Sequence, residues 1–238
     1  MKGRHPVILI LGPTAGGKTR LAIDLANRLP GGGECLGADS MQVYRGMDIG
    51  TAKPTPEERA QAPHHLFDIA DPSQGDFSVD TWLGLADQTI EEVRSRGHFP
   101  IIVGGTNLYV QAFLEGLFEG PEPDQEIRAK LTALSAEELR AALEECDPEA
   151  ASRIHPNDRK RSIRAIEVFE LTGKRLSDLQ QQWSQGPPRD DVIIIGLEYP
   201  AESINQRINA RVKSMMEEGL LEEVRTLFES DRLGPQAR

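Results

Sequence analysis

Gly12-Pro13-Thr14-Ala15-Gly16-Gly17-Lys18-Thr19 is the stretch on which the reading of this chain turns. An apolar run, Val7-Ile8-Leu9-Ile10-Leu11, leads into it, and Leu21-Ala22-Ile23-Asp24-Leu25-Ala26 follows. The pattern predicts strand, glycine-rich loop, helix. Gly12, Gly17, Lys18 and Thr19 meet the frame G-x-x-x-x-G-K-[ST]. Glycines let successive backbone N–H groups turn inward around an anion, and the helix N-terminus adds its dipole. Lys18 brings a mobile positive charge, and the Thr19 hydroxyl suits a magnesium ion. The stretch specifies a polyphosphate site and leaves the carrier of the phosphates open.

Outward from the loop, the helix runs from Lys18 to about Leu29 and stops at Pro30-Gly31-Gly32-Gly33. A short strand over Cys35–Ala38 ends at Asp39. Residues 44–54 read as an ordered loop, and residues 63–69 as a brief strand. Ser78–Arg96 is helical, with Val79, Trp82, Leu83, Ala86, Ile90 and Val93 on one face. The buried strand around Ile101-Ile102-Val103 feeds Gly104-Gly105-Thr106 and a helix from Asn107. Strands alternating with helices imply a parallel, doubly wound α/β sheet.

The character changes at Glu119-Gly120-Pro121. From there to about Gln182 every segment reads as helix: Gln125–Leu134, Ser135–Cys146 with a capping box, Pro148–Ile154, Asn157–Thr172 capped by Asn157, and Ser177–Trp183. Gln185-Gly186-Pro187-Pro188-Arg189 is a linker. Buried-strand character returns at Asp191–Leu197, and two helices follow, Ala201–Glu217 and Leu220–Phe228, with Ile208 and Val212 marking the buried side of the first. The expected organisation is a core over 1–118, an all-helical insertion over 119–186, and the core again over 187–238. The ending at Leu233-Gly234-Pro235, just past a helix, suggests a truncated C-terminus.

Composition excludes little. The chain has 238 residues, 38% hydrophobic and 27% charged, which is ordinary for a globular protein. No run approaches ~18 apolar residues, so no membrane span is expected. The N-terminus leads straight into a strand, with no room for a signal peptide. Cys35 and Cys146 stand far apart in no metal-type spacing, consistent with reduced thiols and a cytoplasmic location. His64 and His65 lack ligand-spaced partners and read as structural. The net charge of −11 argues against nucleic acid unless positive charge is gathered locally.

A phosphate-loop NTPase needs an aspartate at the end of an apolar strand to hold the magnesium shell. Here the best strand ends in Gly104-Gly105-Thr106 instead. Asp39 lies at a strand's C-terminal end, where such sheets place ligands; it is either a turn cap or a base orienting an attacking amine or hydroxyl. Gln42 has an amide suited to a base edge. Arg159, Lys160, Arg161 and Arg164 form the densest basic cluster, which reads either as a solvated helix face or as a grip on a phosphate backbone, with Arg128 able to join it. Arg207 and Arg211 are four apart, and one of them could reach over the phosphate loop.

These residues together resemble the tRNA dimethylallyltransferase family (isopentenyl-diphosphate:tRNA transferases). The resemblance runs from Gly12–Thr19 through Asp39-Ser40-Met41-Gln42-Val43-Tyr44, residues 46–54 and Val103–Tyr109, to Arg153–Asp158 with Arg161 and Arg164, and to Arg207 and Arg211 ahead of Gly219-Leu220. It implies a phosphate-loop core with a helical insertion that grips the tRNA anticodon stem-loop. It also accounts for the missing aspartate, because in the family the loop (Gly12, Pro13, Thr14, Ala15, Gly16, Gly17, Lys18, Thr19) holds the diphosphate of dimethylallyl diphosphate and no nucleotide is hydrolysed. The product would be N6-dimethylallyl adenosine, 3′-adjacent to the anticodon.

By the same resemblance Thr19 would bind Mg2+; Lys18, Thr19, the loop N–H groups and that ion would neutralise the leaving diphosphate, and Arg211, with Arg207 as the alternative, would add positive charge there. Asp39 would accept the adenine amine's proton. Asp39, Ser40, Met41, Gln42 and Thr106 would meet the flipped base or its neighbours, and Arg128, Lys160, Arg161, Ser162, Ile163 and Arg164 would hold the RNA. The chain reads Ala15-Gly16-Gly17 where relatives commonly have Ala-Ser-Gly. A monomer with no membrane partner is expected. The competing readings are an AMP isopentenyltransferase, which needs no basic helical insertion, a small-molecule kinase, which consumes ATP, and a nonenzymatic RNA-binding module.

Overall fold

The computed structural model describes residues 4–74, 77–117, 120–183, 189–230 and 233. It divides into two compact units, Met1–Leu114 with Arg189–Arg238, and Glu115–Pro188. The division brackets the insertion expected over 119–186. Glu119 and the Gln185–Pro188 linker lie outside the described residues.

The first unit is built on β1 (Val7–Leu11), α1 (Lys18–Arg28), β2 (Gly33–Ala38), α2 (Pro56–Arg59), β3 (His64–His65), α3 (Val79–Ser95), β4 (Phe99–Gly104) and α4 (Asn107–Glu115). After the insertion come β5 (Val192–Gly196), α10 (Ala201–Glu218) and α11 (Leu220–Glu229). The five strands form one parallel sheet in the order β3-β2-β4-β1-β5. Side chains alternate along each strand, so β1 serves two cores. Val7 and Leu9 join Leu36, Ile102 and the α3–α4 face; Ile8 and Ile10 join Ile101 and the α1 face. A sheet covered on both faces explains the near-continuous apolar runs in its central strands.

Trp82 anchors the α3 side. It is fully buried, its indole N–H donates to the Gly37 carbonyl at 2.9 Å, and its ring stacks on Tyr109 at 4.7 Å. Ser78 caps α3 by accepting from Thr81 N.

Three expectations for this unit need correction. The strand read over 63–69 shrinks to two residues, because Leu66 and Asp68 adopt left-handed backbone conformations (φ 66° and 59°) that stop an extended ladder. β5 is an edge strand rather than a buried one, with Ile193 and Ile194 half exposed. On α10, Val212 is also half exposed, and no residue of that helix is fully buried.

The second unit contains α5 (Gln125–Ala133), α6 (Ala136–Cys146), α7 (Pro148–Arg153), α8 (Arg159–Thr172) and α9 (Leu176–Trp183). Leu131, Leu139, Leu143, Ala165, Ile166 and Val168 form its own core. The Ser135–Glu138 capping box is present. The cap of α8 is Asp158, not Asn157, its carboxylate accepting from Arg161 N at 3.1 Å. Asp147 is fully buried and accepts from Ala150 N, Ser177 N and the Ser177 hydroxyl, which ties α7 to α9. Among the described residues no helix is long and apolar enough to cross a membrane.

Candidate active site

The loop after β1 opens into a cavity of about 1320 Å³ in the first unit. Its wall carries Thr14–Thr19, Asp39–Gln42, Thr106 and Arg211, which were picked out far apart in sequence. Gly12 and Pro13 are absent from that wall; their carbonyls accept from Lys18 Nζ at 2.9 and 3.0 Å, so the ammonium lies folded along the loop. Gly17 closes the turn with φ 80°, the left-handed conformation from which α1 starts.

Burial lowers the Lys18 pKa, and the Arg211 charge lowers it further, while Asp39 works in the opposite direction. Lys18 and Arg211 line the same cavity, and their mutual repulsion favours an anion there. Arg211 itself makes no ion pair among the described residues.

The loop is also held from outside. The Tyr199 hydroxyl donates to the Gly16 carbonyl at 2.8 Å, Arg207 Nε donates to the Ala15 carbonyl at 2.9 Å, and the Arg207 guanidinium lies 5.0 Å from the Tyr199 ring centroid. Both arginines line the cavity, but Arg207 is engaged in gripping the loop backbone. The sequence points to both arginines, with Arg211 favoured for the diphosphate, and gives no sign of Tyr199, whose partner is 183 residues away.

Asp39 stands just past the end of β2. Its Oδ1 accepts from Met41 N at 2.9 Å and Gln42 N at 3.3 Å. Ser40 N donates to the Thr106 hydroxyl at 3.0 Å, which joins the ends of β2 and β4. The Gln42 amide is committed within the protein, donating to the carbonyls of Thr51 and Ala52 at 2.8 and 3.0 Å. Beyond it, buried Lys53 donates to Tyr44 O, Asp48 Oδ1 and Asp68 Oδ1, and Arg59 pairs with Asp68 Oδ2 at 2.9 Å. Burial works to raise the Asp68 pKa, but Lys53 and Arg59 outweigh it and the net direction is down. The sequence held no sign of this ion-pair wall.

In the second unit the basic residues separate into two groups. Glu167 is fully buried; Arg128 donates to both its oxygens at 2.8 and 3.1 Å, and Arg164 to Oε2 at 2.6 Å. Burial opposes ionisation there, but these arginines and the Asp124 N–H prevail, and the Glu167 pKa falls. Ser162 is buried and donates to the Asp158 carbonyl, and Ile163 packs on the helical core. Arg159 caps the end of α5, donating to the carbonyls of Thr132 and Leu134. Lys160 and Arg161 remain exposed, the latter 3.4 Å from Asp158.

The sheet, the loop and the cavity define a phosphate-loop enzyme of the α/β class. The model of the IPP transferase family matches residues 42–237. The tRNA dimethylallyltransferase of Anaeromyxobacter dehalogenans is 47% identical over 225 residues, covering 93% of this chain and 74% of the relative. That of Geobacter sulfurreducens is 46% identical, with coverages of 93% and 72%. Among solved structures, the tRNA isopentenylpyrophosphate transferase of Bacillus halodurans matches with 41% identity and a TM-score of 0.67, over 98% of this chain and 73% of that one. A eukaryotic dimethylallyltransferase acting on tRNA matches with 30% identity and a TM-score of 0.78, over 98% and 58%. The chain belongs to the IPP transferase family, the tRNA dimethylallyltransferases.

Proposed function

We propose that this chain moves a dimethylallyl group from dimethylallyl diphosphate to N6 of the adenosine 3′-adjacent to the anticodon of tRNA, releasing diphosphate. The observation that carries the reading is one cavity holding an anion cradle and a carboxylate together: the loop with Lys18 and Arg211, and Asp39. Heterolysis of the allylic C–O bond puts negative charge on a diphosphate oxygen. Fixed donors aimed there are worth roughly 3–4 kcal/mol each. Lys18, Arg211 and the loop N–H groups supply them.

With Oδ1 of Asp39 held by two backbone N–H groups, Oδ2 is left to accept a hydrogen bond from the N6 amine, aim its lone pair at the allylic carbon, and take its proton. The amine must leave the base stack to enter the cavity. Within the basic cluster of α8, Lys160 and Arg161 are the exposed cations, and they suit RNA phosphates.

The Thr19 hydroxyl lines the same cavity and is a hard oxygen donor of the kind magnesium takes, with the diphosphate supplying further oxygens. Such an ion would help neutralise the leaving group. Two unpaired thiols, Cys35 and Cys146, accord with a reducing cytoplasm, and we read the chain as a monomer.

The test incubates the protein with labelled dimethylallyl diphosphate, Mg2+ and unmodified tRNA, with parallel arms supplying free AMP as acceptor or ATP as donor. Label on tRNA alone is expected. Label on AMP, or phosphate transferred from ATP, would replace this reading with a nucleotide prenyltransferase or a kinase.

A further inference from the structure

Glu223, on α11, takes no part in the chemistry above, yet its carboxylate gathers three consecutive backbone amides. Oε2 accepts from Asp48 N at 2.8 Å and Ile49 N at 2.7 Å, and Oε1 from Gly50 N at 3.0 Å. Three N–H groups converging on one anion form a nest. The same helix face, Leu220, Glu223 and Leu227, lies along this segment. A Cβ on Gly50 would come within 3.0 Å of Leu220 Cδ1 and 3.5 Å of Glu223 Oε1, so only glycine allows the approach without displacing a neighbour. Leu227 Cδ2 is 3.9 Å from where a Cβ on Gly46 would stand.

The gripped segment forms cavity wall at Asp48, Ile49, Thr51 and Ala52. From the other side Gln42 Nε2 donates to the Thr51 and Ala52 carbonyls, and Gln42 N donates to Asp39 Oδ1. A continuous hydrogen-bonded path therefore leads from α11 to the acceptor-facing carboxylate.

We infer that Glu223 is a positioning residue for the transfer reaction: it fixes the 48–52 wall from behind and, through Gln42, sets the direction in which the free oxygen of Asp39 faces. The inference rests on Asp39 acting on the amine as proposed above. A misplacement of about 1 Å at a reacting group can cost about a hundredfold in rate. The anion cradle has its own supports, Tyr199 and Arg207, so the loss should fall on turnover and spare donor binding. Buried Leu227 holds α11 without the carboxylate.

The experiment compares Glu223→Ala, Glu223→Gln, Gln42→Ala and the double variant Glu223→Ala/Gln42→Ala in the tRNA prenylation assay, with amide hydrogen exchange followed over residues 45–53. For Glu223→Ala, kcat is expected to fall tenfold to a hundredfold, KM for dimethylallyl diphosphate to stay within about twofold, and the amides of 48–50 to lose protection. Glu223→Gln, which keeps one carbonyl acceptor and most of the side chain's volume, should fall between alanine and wild type. The double variant should be no slower than the slower single, since both changes break one path. Multiplying losses in the double variant, wild-type kcat in Glu223→Ala, or a loss confined to donor KM would overturn the inference. If the wild-type protein fails to prenylate tRNA, the functional proposal falls on that result alone, and amide protection still reports whether Glu223 holds the segment.

Discussion

Replacing Glu34 by Gln tests how the start of the sheet is stabilised. Glu34 opens β2 at the end opposite Asp39, and its side chain is 3% exposed. Arg96 donates to both its oxygens at 2.8 Å, His65 lies 2.6 Å from Oε2 and His98 2.7 Å from Oε1. The Arg96 guanidinium, helped by the two imidazoles and opposed by burial, holds the carboxyl at about 2 instead of 4.5. At about 1.4 kcal/mol per pH unit the difference is worth about 3 kcal/mol. It is an upper value, because Arg96 is 43% exposed and water screens it.

A pKa lower in the folded state stabilises above the unfolded value and is lost as pH falls through the folded one, so the window runs from about 4.5 down to about 2. At pH 3.5, one unit below the ordinary value, about 1.4 kcal/mol is already gone. Urea unfolding should be followed by Trp82 fluorescence in a Trp183→Phe background, for wild type and Glu34→Gln, at pH 7 and 3.5. The stability gap is expected to be about 2–3 kcal/mol at pH 7 and to narrow by about 1 kcal/mol at pH 3.5. A gap that stays constant would show that ionisation of Glu34 contributes nothing and that the cluster matters only through packing.

Asp39→Asn retains an oxygen for Met41 N while removing the charge; kcat should drop by about 10²–10⁴ with donor KM unchanged, measured by steady-state prenylation. Tyr199→Phe loses the bond to Gly16 O, and isothermal titration with diphosphate should show affinity weakened about 3- to 10-fold. Lys160→Ala with Arg161→Ala should weaken tRNA binding and flatten its log–log salt slope by about 1.4–1.8, read by filter binding between 50 and 200 mM salt. Glu167→Ala strands Arg128 and Arg164, which are 38% and 29% exposed and so can partly rehydrate. It should destabilise the helical unit by about 3 kcal/mol, seen as faster limited proteolysis within residues 120–183.

Local chemistry was legible in the sequence and pairing at a distance was not. The loop, the strands around Leu9 and Ile102, and the helix carrying Trp82 announce themselves through periodicity and punctuation within a few residues. Asp39 could be singled out because its place after a strand carries meaning in a parallel sheet. Asn157 and Asp158 are both competent caps in adjacent positions, and only backbone geometry chooses Asp158. Arg128 and Arg164 look free in one dimension, yet their shared partner, Glu167, is 39 residues from the first. Glu223 meets its amides across 173–175 residues, a separation no windowed reading spans. The half exposure of Ile193 and Ile194 escaped for a related reason: an apolar run predicts a strand without saying whether it lies at the edge.

One feature of the core bears on modularity. Arg189, the first residue after the helical unit, lies with its guanidinium 4.2 Å from the ring centroid of Phe113, near the last residue before that unit, and pairs with Asp87 on α3 at 2.5 Å. The polypeptide therefore departs from the sheet domain and rejoins it through neighbouring doorways that are fastened by the domain's own side chains. A short glycine–serine bridge from Leu114 to Arg189 is expected to leave the sheet domain folded on its own core, which thermal unfolding of the shortened chain would show.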